Sequence, residues 1–258
     1  MYRDKSIAVV VPAYNEEQHI GLVCEGMPDF VDAVYVIDDA STDATADITS
    51  EYAEIDDRIQ LIRHEVNRGV GGAIVTGYKR ALADGMDISV VMAGDNQMES
   101  EYLGAIIDPV VEGTAAYSKV TRLTDRAHLN GMSPWRILGN YTLRWLTVLA
   151  TGNTEVTDPQ NGYAAISGDA LMSIDLDAVY PYYGYCNDLI ARLSANGQRI
   201  VEIPLPSMYH GEVSKIRYHK YIPRVSKLLL RIFLLRVTGR LKWSPPQATP
   251  TVVSGGTE

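Results

Sequence analysis

Four short apolar stretches, 7–11, 33–37, 59–62 and 88–92, the last two broken only by Gln60 and Ser89, punctuate the first part of the chain. Runs of this length without polar alternation suit strands buried on both faces of a parallel sheet. Between them, apolar positions recur at helical spacing. Such segments start near Glu16, after Ser41-Thr42-Asp43 with its cap-forming side chains, and after the glycines Gly69, Gly71 and Gly72. Strand–helix alternation predicts an α/β fold, a mostly parallel central sheet with helices on both faces. Beyond residue 98 the pattern is less regular. It predicts helices over 134–150 and 188–195, strands over 163–167 and 200–203, and an amphipathic helix over 218–237. Residues 244–258, rich in Pro, Ser, Thr and Gly, read as a disordered tail.

Composition narrows the class. The 258 residues suffice for one large domain, and 46% hydrophobic with 21% charged content is ordinary for a soluble globular protein. A net charge of -9 argues against a nucleic-acid partner. That average hides an asymmetry: residues 210–243 carry +8 and the remainder -17. A basic segment on an acidic body suits contact with an anionic surface. Cys24 and Cys186 match no metal or redox spacing and read as reduced thiols of a cytosolic protein. No signal peptide is visible, and the most apolar segment, 225–237, is short and interrupted by Lys227, Arg231 and Arg236.

In open parallel sheets ligands bind beyond the carboxyl ends of the strands, and four polar clusters lie there. The first is Pro12-Ala13-Tyr14-Asn15-Glu16-Glu17. Tyr14 suits stacking on a base and Glu16 a hydrogen bond to base or ribose; the same residues also make a plain helix start. The second, Asp38-Asp39-Ala40-Ser41-Thr42-Asp43, puts two acids side by side. Such a pair needs a base N–H, a ribose hydroxyl or a metal, or else the cluster only caps a helix. The third, Asn67-Arg68-Gly69-Val70-Gly71-Gly72, either cradles phosphate at a helix N-terminus or provides glycines for tight packing. The fourth, Ala93-Gly94-Asp95-Asn96-Gln97, offers the Asp95 carboxylate and Gln97 amide oxygen to one hard cation, Mg²⁺ or Mn²⁺, or else forms an ordinary polar turn.

Taken in this order and spacing, VVPAYNEE, IDDASTDAT, NRGVGGAIVTGYKRA and MAGDNQM resemble glycosyltransferase family 2, and within it the dolichyl-phosphate mannose and glucose synthases. The resemblance covers roughly residues 6–240 and is strongest through residue 98. It implies a GT-A fold and an inverting transfer of hexose from a nucleotide-diphosphate sugar to dolichyl or polyprenyl phosphate. That reaction would feed protein glycosylation or cell-surface glycan assembly. It assigns Pro12, Ala13, Tyr14 and Glu16 to the nucleoside, Asp38 and particularly Asp39 to base and ribose, and Gly71 and Gly94 to the donor pocket. The divalent metal falls to Asp95 and Gln97. Ala93 stands where the family usually has another Asp, so diphosphate and water would complete the coordination.

The later residues match the lipid-phosphate branch. The resemblance gives Lys119, Arg122, Arg136 and Asn140 to the acceptor phosphate, for which Arg and Lys are chemically suited. It places Asp158, Gln160, Asn161 and Gly162 near the donor sugar, and Ser214 with Lys215 over the diphosphate. Asp188 stands where many family members have a catalytic base; base, orienter and helix cap all remain open. Lys220, Arg224, Lys227 and Arg231 form a cationic stripe beside an apolar stripe of Ile222, Val225, Leu229 and Ile232. This is the pattern of a helix lying in a membrane interface, or of one docked on a core. The expected organisation is a catalytic domain over 1–210, a membrane-apposed segment over 211–243 and the tail. The expected location is peripheral, on the cytoplasmic face of a membrane. The expected donor is a UDP-hexose or GDP-mannose. The rival readings are transfer to a hydroxyl of a lipid-linked glycan or polysaccharide, and a noncatalytic nucleotide-sugar-binding module.

Overall fold

The computed structural model describes residues 1–123, 134–205 and 218–241, with side chains from Ile137 onward in the second segment and from Tyr221 in the third. Its strands are β1 (Ile7–Ala13), β2 (Ala33–Asp38), β3 (Ile59–Arg63), β4 (Ile88–Val91), β5 (Tyr117–Thr121), β6 (Ala164–Ser167) and β7 (Ile200–Pro204). They form one sheet in the order β3-β2-β1-β4-β6-β5-β7. The described helices are α1 (Ile20–Glu25), α2 (Thr45–Ile55), α3 (Val70–Ala83), α4 (Leu103–Val111), α5 (Pro134–Thr151), α6 (Gly168–Met172), α7 (Tyr185–Ala195) and α8 (Tyr218–Val237). The α/β class with a mostly parallel sheet is as the pattern predicts. α4 was not read from the sequence, and Pro109 inside it obscures the helical signal.

The apolar runs form strands because both of their faces are covered. Ile7, Val9 and Val11 of β1 enter a core shared with Ile20 and Val23 of α1 and Leu103 and Ile106 of α4. Ala8 and Val10 point the other way, into a core with Ala73 and Tyr78 of α3 and Leu189 and Leu193 of α7. This is the two-residue period of a strand, apolar on both sides. Gly77 lets α3 lie close on β1: a Cβ there would stand 2.2 Å from Val10 Cγ1.

Topology determines where a site can form. β1 pairs in parallel with both β2 and β4, so the chain's direction of travel across the sheet reverses at β1. A crevice opens at such a switch point beyond the strand ends. β6 is antiparallel to both β4 and β5, with Ala164 facing Val91 and Lys119. Residues 158–163, which enter β6, therefore lie at the same edge as the carboxyl ends of β1, β2, β4 and β5.

A third core joins α5, α7 and α8 through Ala150, Ala191, Val225, Leu228, Leu229 and Ile232. This corrects the expected orientation of the basic helix. Val225, Leu229 and Ile232 face the protein, and of the apolar stripe only Ile222 is exposed. The apolar surface of α5 and α7 lies within reach, and burial there satisfies that face. Among the described residues, no helix is long and apolar enough to cross a membrane.

Candidate active site

The loops after β1 and β2 are laced together. The Asn15 amide donates to Ser41 Oγ at 3.0 Å, Glu16 N to Thr45 Oγ1 at 2.8 Å, and Glu17 N to Asp43 Oδ2 at 3.2 Å. In return Thr42 N donates to Asn15 Oδ1 at 2.9 Å and Ala44 N to Glu17 Oε2 at 3.1 Å. This lacing delays α1 to Ile20 rather than Glu16. Of five non-glycine residues with left-handed backbone among the described residues, two, Arg3 and Asp4, lie in the N-terminal turn, and one follows each of β1, β2 and β4: Asn15 (φ 54°), Ala40 (φ 62°) and Asn96 (φ 57°). Asn tolerates this region, but in Ala40 it costs about 1–2 kcal/mol. Strain of this kind concentrates where a site imposes geometry on its loops. Tyr14, 45% exposed, stands on the rim with an open ring, while Pro12 is half-buried and Ala13 buried behind it.

The two adjacent acids have different surroundings. Asp39 is spent on the chain itself: His64 Nδ1 lies 2.7 Å from Oδ1, Arg68 N donates to Oδ1 at 2.8 Å and Gly69 N to Oδ2 at 2.8 Å. Asp38 is fully buried; its Oδ1 accepts from Ser41 N at 3.1 Å. Asp38 Oδ2 has no hydrogen bond among the described residues, only Arg63 Nε at 3.4 Å. Asp39 is thus bonded within the chain, while Asp38 keeps one enclosed oxygen without a hydrogen-bond donor among the described residues. A buried carboxylate oxygen without a donor is the one that demands a ligand N–H or O–H.

The glycine loop also changes role. The Arg68 and Gly69 amides are taken by Asp39, and Gly72 N donates to Pro181 O at 3.0 Å. A Cβ on Gly71 would stand 2.4 Å from Tyr180 O, and Gly69 has φ 82° beneath Tyr182. Gly71 is thus a packing glycine under the 180–182 segment, and three of the loop's amides, those of Arg68, Gly69 and Gly72, are bonded within the chain.

At the end of β4, Gly94 sits tight on the first loop, where a Cβ would stand 3.3 Å from both Ala13 Cβ and Pro12 O. This brings Asp95 beside the loop that follows β1. Asp95 is half-exposed, and its Oδ1 accepts from Gln97 N at 3.2 Å across the left-handed Asn96. No cluster of three or more His, Cys, Asp or Glu suited to a metal occurs among the described residues. One carboxylate and one amide oxygen fit a cation that takes its other ligands from diphosphate and water, as Mg²⁺ and Mn²⁺ do.

The cations after β5 are committed inward. Lys119 is fully buried; its Nζ donates to Asp158 O and to Val120 O, 3.4 Å away, and lies 3.7 Å from Glu202 Oε1. It cannot reach an acceptor phosphate, which corrects that assignment. Arg122 holds Asp158 as a fork, Nε to Oδ2 at 2.6 Å and Nη2 to Oδ1 at 3.0 Å. Burial pushes the Asp158 carboxyl up, but Arg122, joined by Lys119, outweighs it and holds the group below the ordinary carboxylate range. Glu202 completes the cluster by accepting from Thr157 N at 2.8 Å and Asp158 N at 3.0 Å. Glu202 was missed in the sequence; its signal is a lone charge within the apolar run 200–203. His64 was likewise unread, since nothing in its neighbourhood distinguishes it from a surface histidine.

Asp188 accepts from Tyr180 N and Arg192 Nε through the same Oδ2, both at 2.9 Å. Through Oδ2, then, Asp188 holds the 180 segment, the orienting role among its three. Gln160 Nε2 donates to Asn187 Oδ1 at 2.9 Å, and Asn161 Oδ1 accepts from Tyr163 N at 2.9 Å. Gly162 lies under the Tyr185 hydroxyl. Asn140 is half-buried on α5. The side chain of Arg136, on the same helix, and residues Ser214 and Lys215 lie outside the described residues, as does the tail. Cys24 and Cys186 are free and buried, and burial raises the Cys24 thiol to about 11, so neither is a nucleophile.

Comparison with known proteins matches this architecture. The family model described as "Glycosyl transferase family 2" matches residues 8–155. The UDP-N-acetylglucosamine–dolichyl-phosphate N-acetylglucosaminyltransferase of Methanococcus voltae is 30% identical, over 80% of this chain and 87% of its own. An undecaprenyl-phosphate mannosyltransferase of Micrococcus luteus is 28% identical over 77% of this chain and 82% of its own. In fold, the chain is similar to glucosyl-3-phosphoglycerate synthase from Mycobacterium tuberculosis, solved with Mn²⁺, UDP-glucose and phosphoglyceric acid. That TM-score is 0.66 at 21% identity, covering 95% of this chain and 82% of the other. With the family model over more than half of its length and a relative 30% identical across most of both chains, the chain belongs to glycosyl transferase family 2.

Proposed function

We propose that the protein is an inverting glycosyltransferase that moves the sugar of a UDP-linked hexose onto dolichyl or another polyprenyl phosphate. The observation that carries this reading is the commitment of Asp188 to Arg192 and the Tyr180 amide. A hydroxyl acceptor needs a base to remove its proton, whereas a phosphate arrives already ionised. The relatives named for transfer to dolichyl and undecaprenyl phosphate support the same acceptor. UDP is favoured over GDP because the first of these and the structural neighbour are both named with UDP-sugars.

Tyr14 stacks the base and the free oxygen of Asp38 accepts from base or ribose. Asp95 and Gln97 would hold a divalent cation, which when bound neutralises charge on the leaving diphosphate. Lys215 and Ser214, which the family resemblance assigns to the diphosphate, would add a charge and a hydrogen bond to it. Arg136 and Asn140 act on the acceptor phosphate, and Arg122, held by Asp158, orders the loop beside them. The attack is in line and inverts the anomeric carbon.

The membrane contact is a mixed face of α8 and α5. Arg224, Lys227 and Arg231 are exposed on α8, with Ile222, Leu230 and Leu234 also exposed. α5 adds Leu138, Leu149 and Trp145, the last 70% exposed. Each cation near an anionic leaflet contributes about 1 kcal/mol. This face would hold the enzyme peripherally on a cytoplasmic leaflet, despite its acidic body.

The test is transfer of labelled sugar from a panel of UDP- and GDP-hexoses, N-acetylglucosamine included, into organic-extractable dolichyl phosphate with Mg²⁺ or Mn²⁺. Label from one UDP-sugar is the expected result. Donor binding with no lipid label from any of them sinks the reading in favour of a hydroxyl acceptor or a binding-only role.

A further inference from the structure

The C-terminal helix is tied to the active-site edge by a continuous chain of hydrogen bonds. Tyr221 on α8 donates its hydroxyl to Gln160 Oε1. Gln160 Nε2 donates to Asn187 Oδ1 at 2.9 Å, Asn187 Nδ2 to Thr147 Oγ1 at 2.6 Å, and Thr147 Oγ1 to Leu143 O at 2.7 Å. Each amide in this relay spends its oxygen on one neighbour and its nitrogen on the next, so the direction of every bond is determined. Asn187 and Thr147 are buried, where an unmade bond is costly. The relay thus spans α8, the 158–162 loop, α7 and α5.

From Gln160 the contact continues toward Asp95. Gly162 lies against Met98, where a Cβ would stand 3.8 Å from the methyl carbon. The Tyr163 hydroxyl donates to Glu99 O at 2.7 Å, and Ala93 N donates to Met98 Sδ at 3.2 Å. The segment carrying Asp95 and Gln97 is therefore braced by the loop that Tyr221 holds. The Tyr221 ring itself packs against the third core, so its hydroxyl position follows the seat of α8.

We propose that Tyr221 is a positioning residue for the transfer reaction, coupling the seating of α8 to the geometry of the loop that carries Asp95 and Gln97. It touches neither donor nor acceptor and acts through Gln160. The inference rests on the transferase reading above and adds to it a dependence of turnover on α8.

The experiment compares wild type with Tyr221→Phe, which keeps the ring in the core, and with Gln160→Leu and the double variant. Tyr221→Phe is expected to lower kcat roughly tenfold with donor KM within about twofold, the effect of slightly misplacing a reacting geometry. Its melting temperature should stay within about 3 °C of wild type. The double variant should cost no more than the worse single one, as expected for two members of one relay. Hydrogen exchange at the amides of Asn161, Tyr163 and Gln97 should be faster in Tyr221→Phe without any ligand. Wild-type kcat, or unchanged exchange at those amides, overturns the proposal. If wild type labels no lipid, the acceptor reading fails separately. Exchange then decides the coupling alone: faster exchange supports it and unchanged exchange overturns it.

Discussion

The two halves of the sheet use polar residues in opposite ways. Along β1, β2 and β4 the polar side chains follow their strands directly, and Tyr14, Asp38 and Asp95 arrive at the crevice without long-range help. Around β5, β6 and β7 the charged and polar residues bond to one another across large separations: Lys119 with Glu202, Arg122 with Asp158, Gln160 with Tyr221 of α8. The first half sets its polar groups by local backbone, and the second builds a support from distant pairs. A charge read as ligand-binding from its position alone is thus secure only where local backbone sets its surroundings. Asp39 shows the limit even in the first half, since His64 and two loop amides claim it from β3 and α3.

The sharpest way to break this contrast is to remove a support. Arg122→Ala leaves Asp158 buried and unpaired and should destabilise the fold by about 3–5 kcal/mol, read by denaturant unfolding. The same pair carries a pH signature. The carboxyl of Asp158 is depressed on folding, so its contribution is fully present above the unfolded value near 4 and is lost as pH falls through the lower folded value. Stability of wild type should therefore fall more steeply below about pH 4 than that of Asp158→Asn. Equal slopes would remove the pair from the support.

Next in size is Asp95→Asn, in the first half. It should lower kcat by roughly 10²–10³, the effect of losing one charge-stabilising contact, while the melting curve stays put. A large loss of stability would instead mark Asp95 as support. The smallest effect is expected at Asp188→Asn, which keeps an acceptor for the Tyr180 amide. kcat should change by no more than roughly threefold, whereas loss of a general base would cost about 10²–10⁴. A loss of that larger size would return Asp188 to the chemistry and favour a hydroxyl acceptor.

How much was legible follows from the range of the interactions. The strand runs and the four clusters at their ends could be read because a strand and its following loop are consecutive in sequence, and parallel strands bring consecutive loops to one edge. The turn Asp95-Asn96-Gln97 is local in the same sense. The inward pairing of Lys119 was not legible, because its partners come from residues 158 and 202 and only the β5–β6–β7 pairing brings them near. The glycine loop was ambiguous for a similar reason: its glycines suit a phosphate or a neighbour equally, and the neighbour is the distant Tyr180-Pro181-Tyr182 segment.

By itself, then, the sequence determined the class of fold, the family and the edge on which a site forms, since hydrophobic period and local turn chemistry act over a few residues. The amphipathic pattern of α8 also determined that one of its faces is buried. Tertiary structure alone decided what covers that face and which acid, Asp38 or Asp39, keeps an oxygen without a hydrogen-bond donor among the described residues. It also decided which cations are spent on internal pairs. Those outcomes depend on which side chains reach a given atom first in space, and burial makes the first bond formed there the one that is kept.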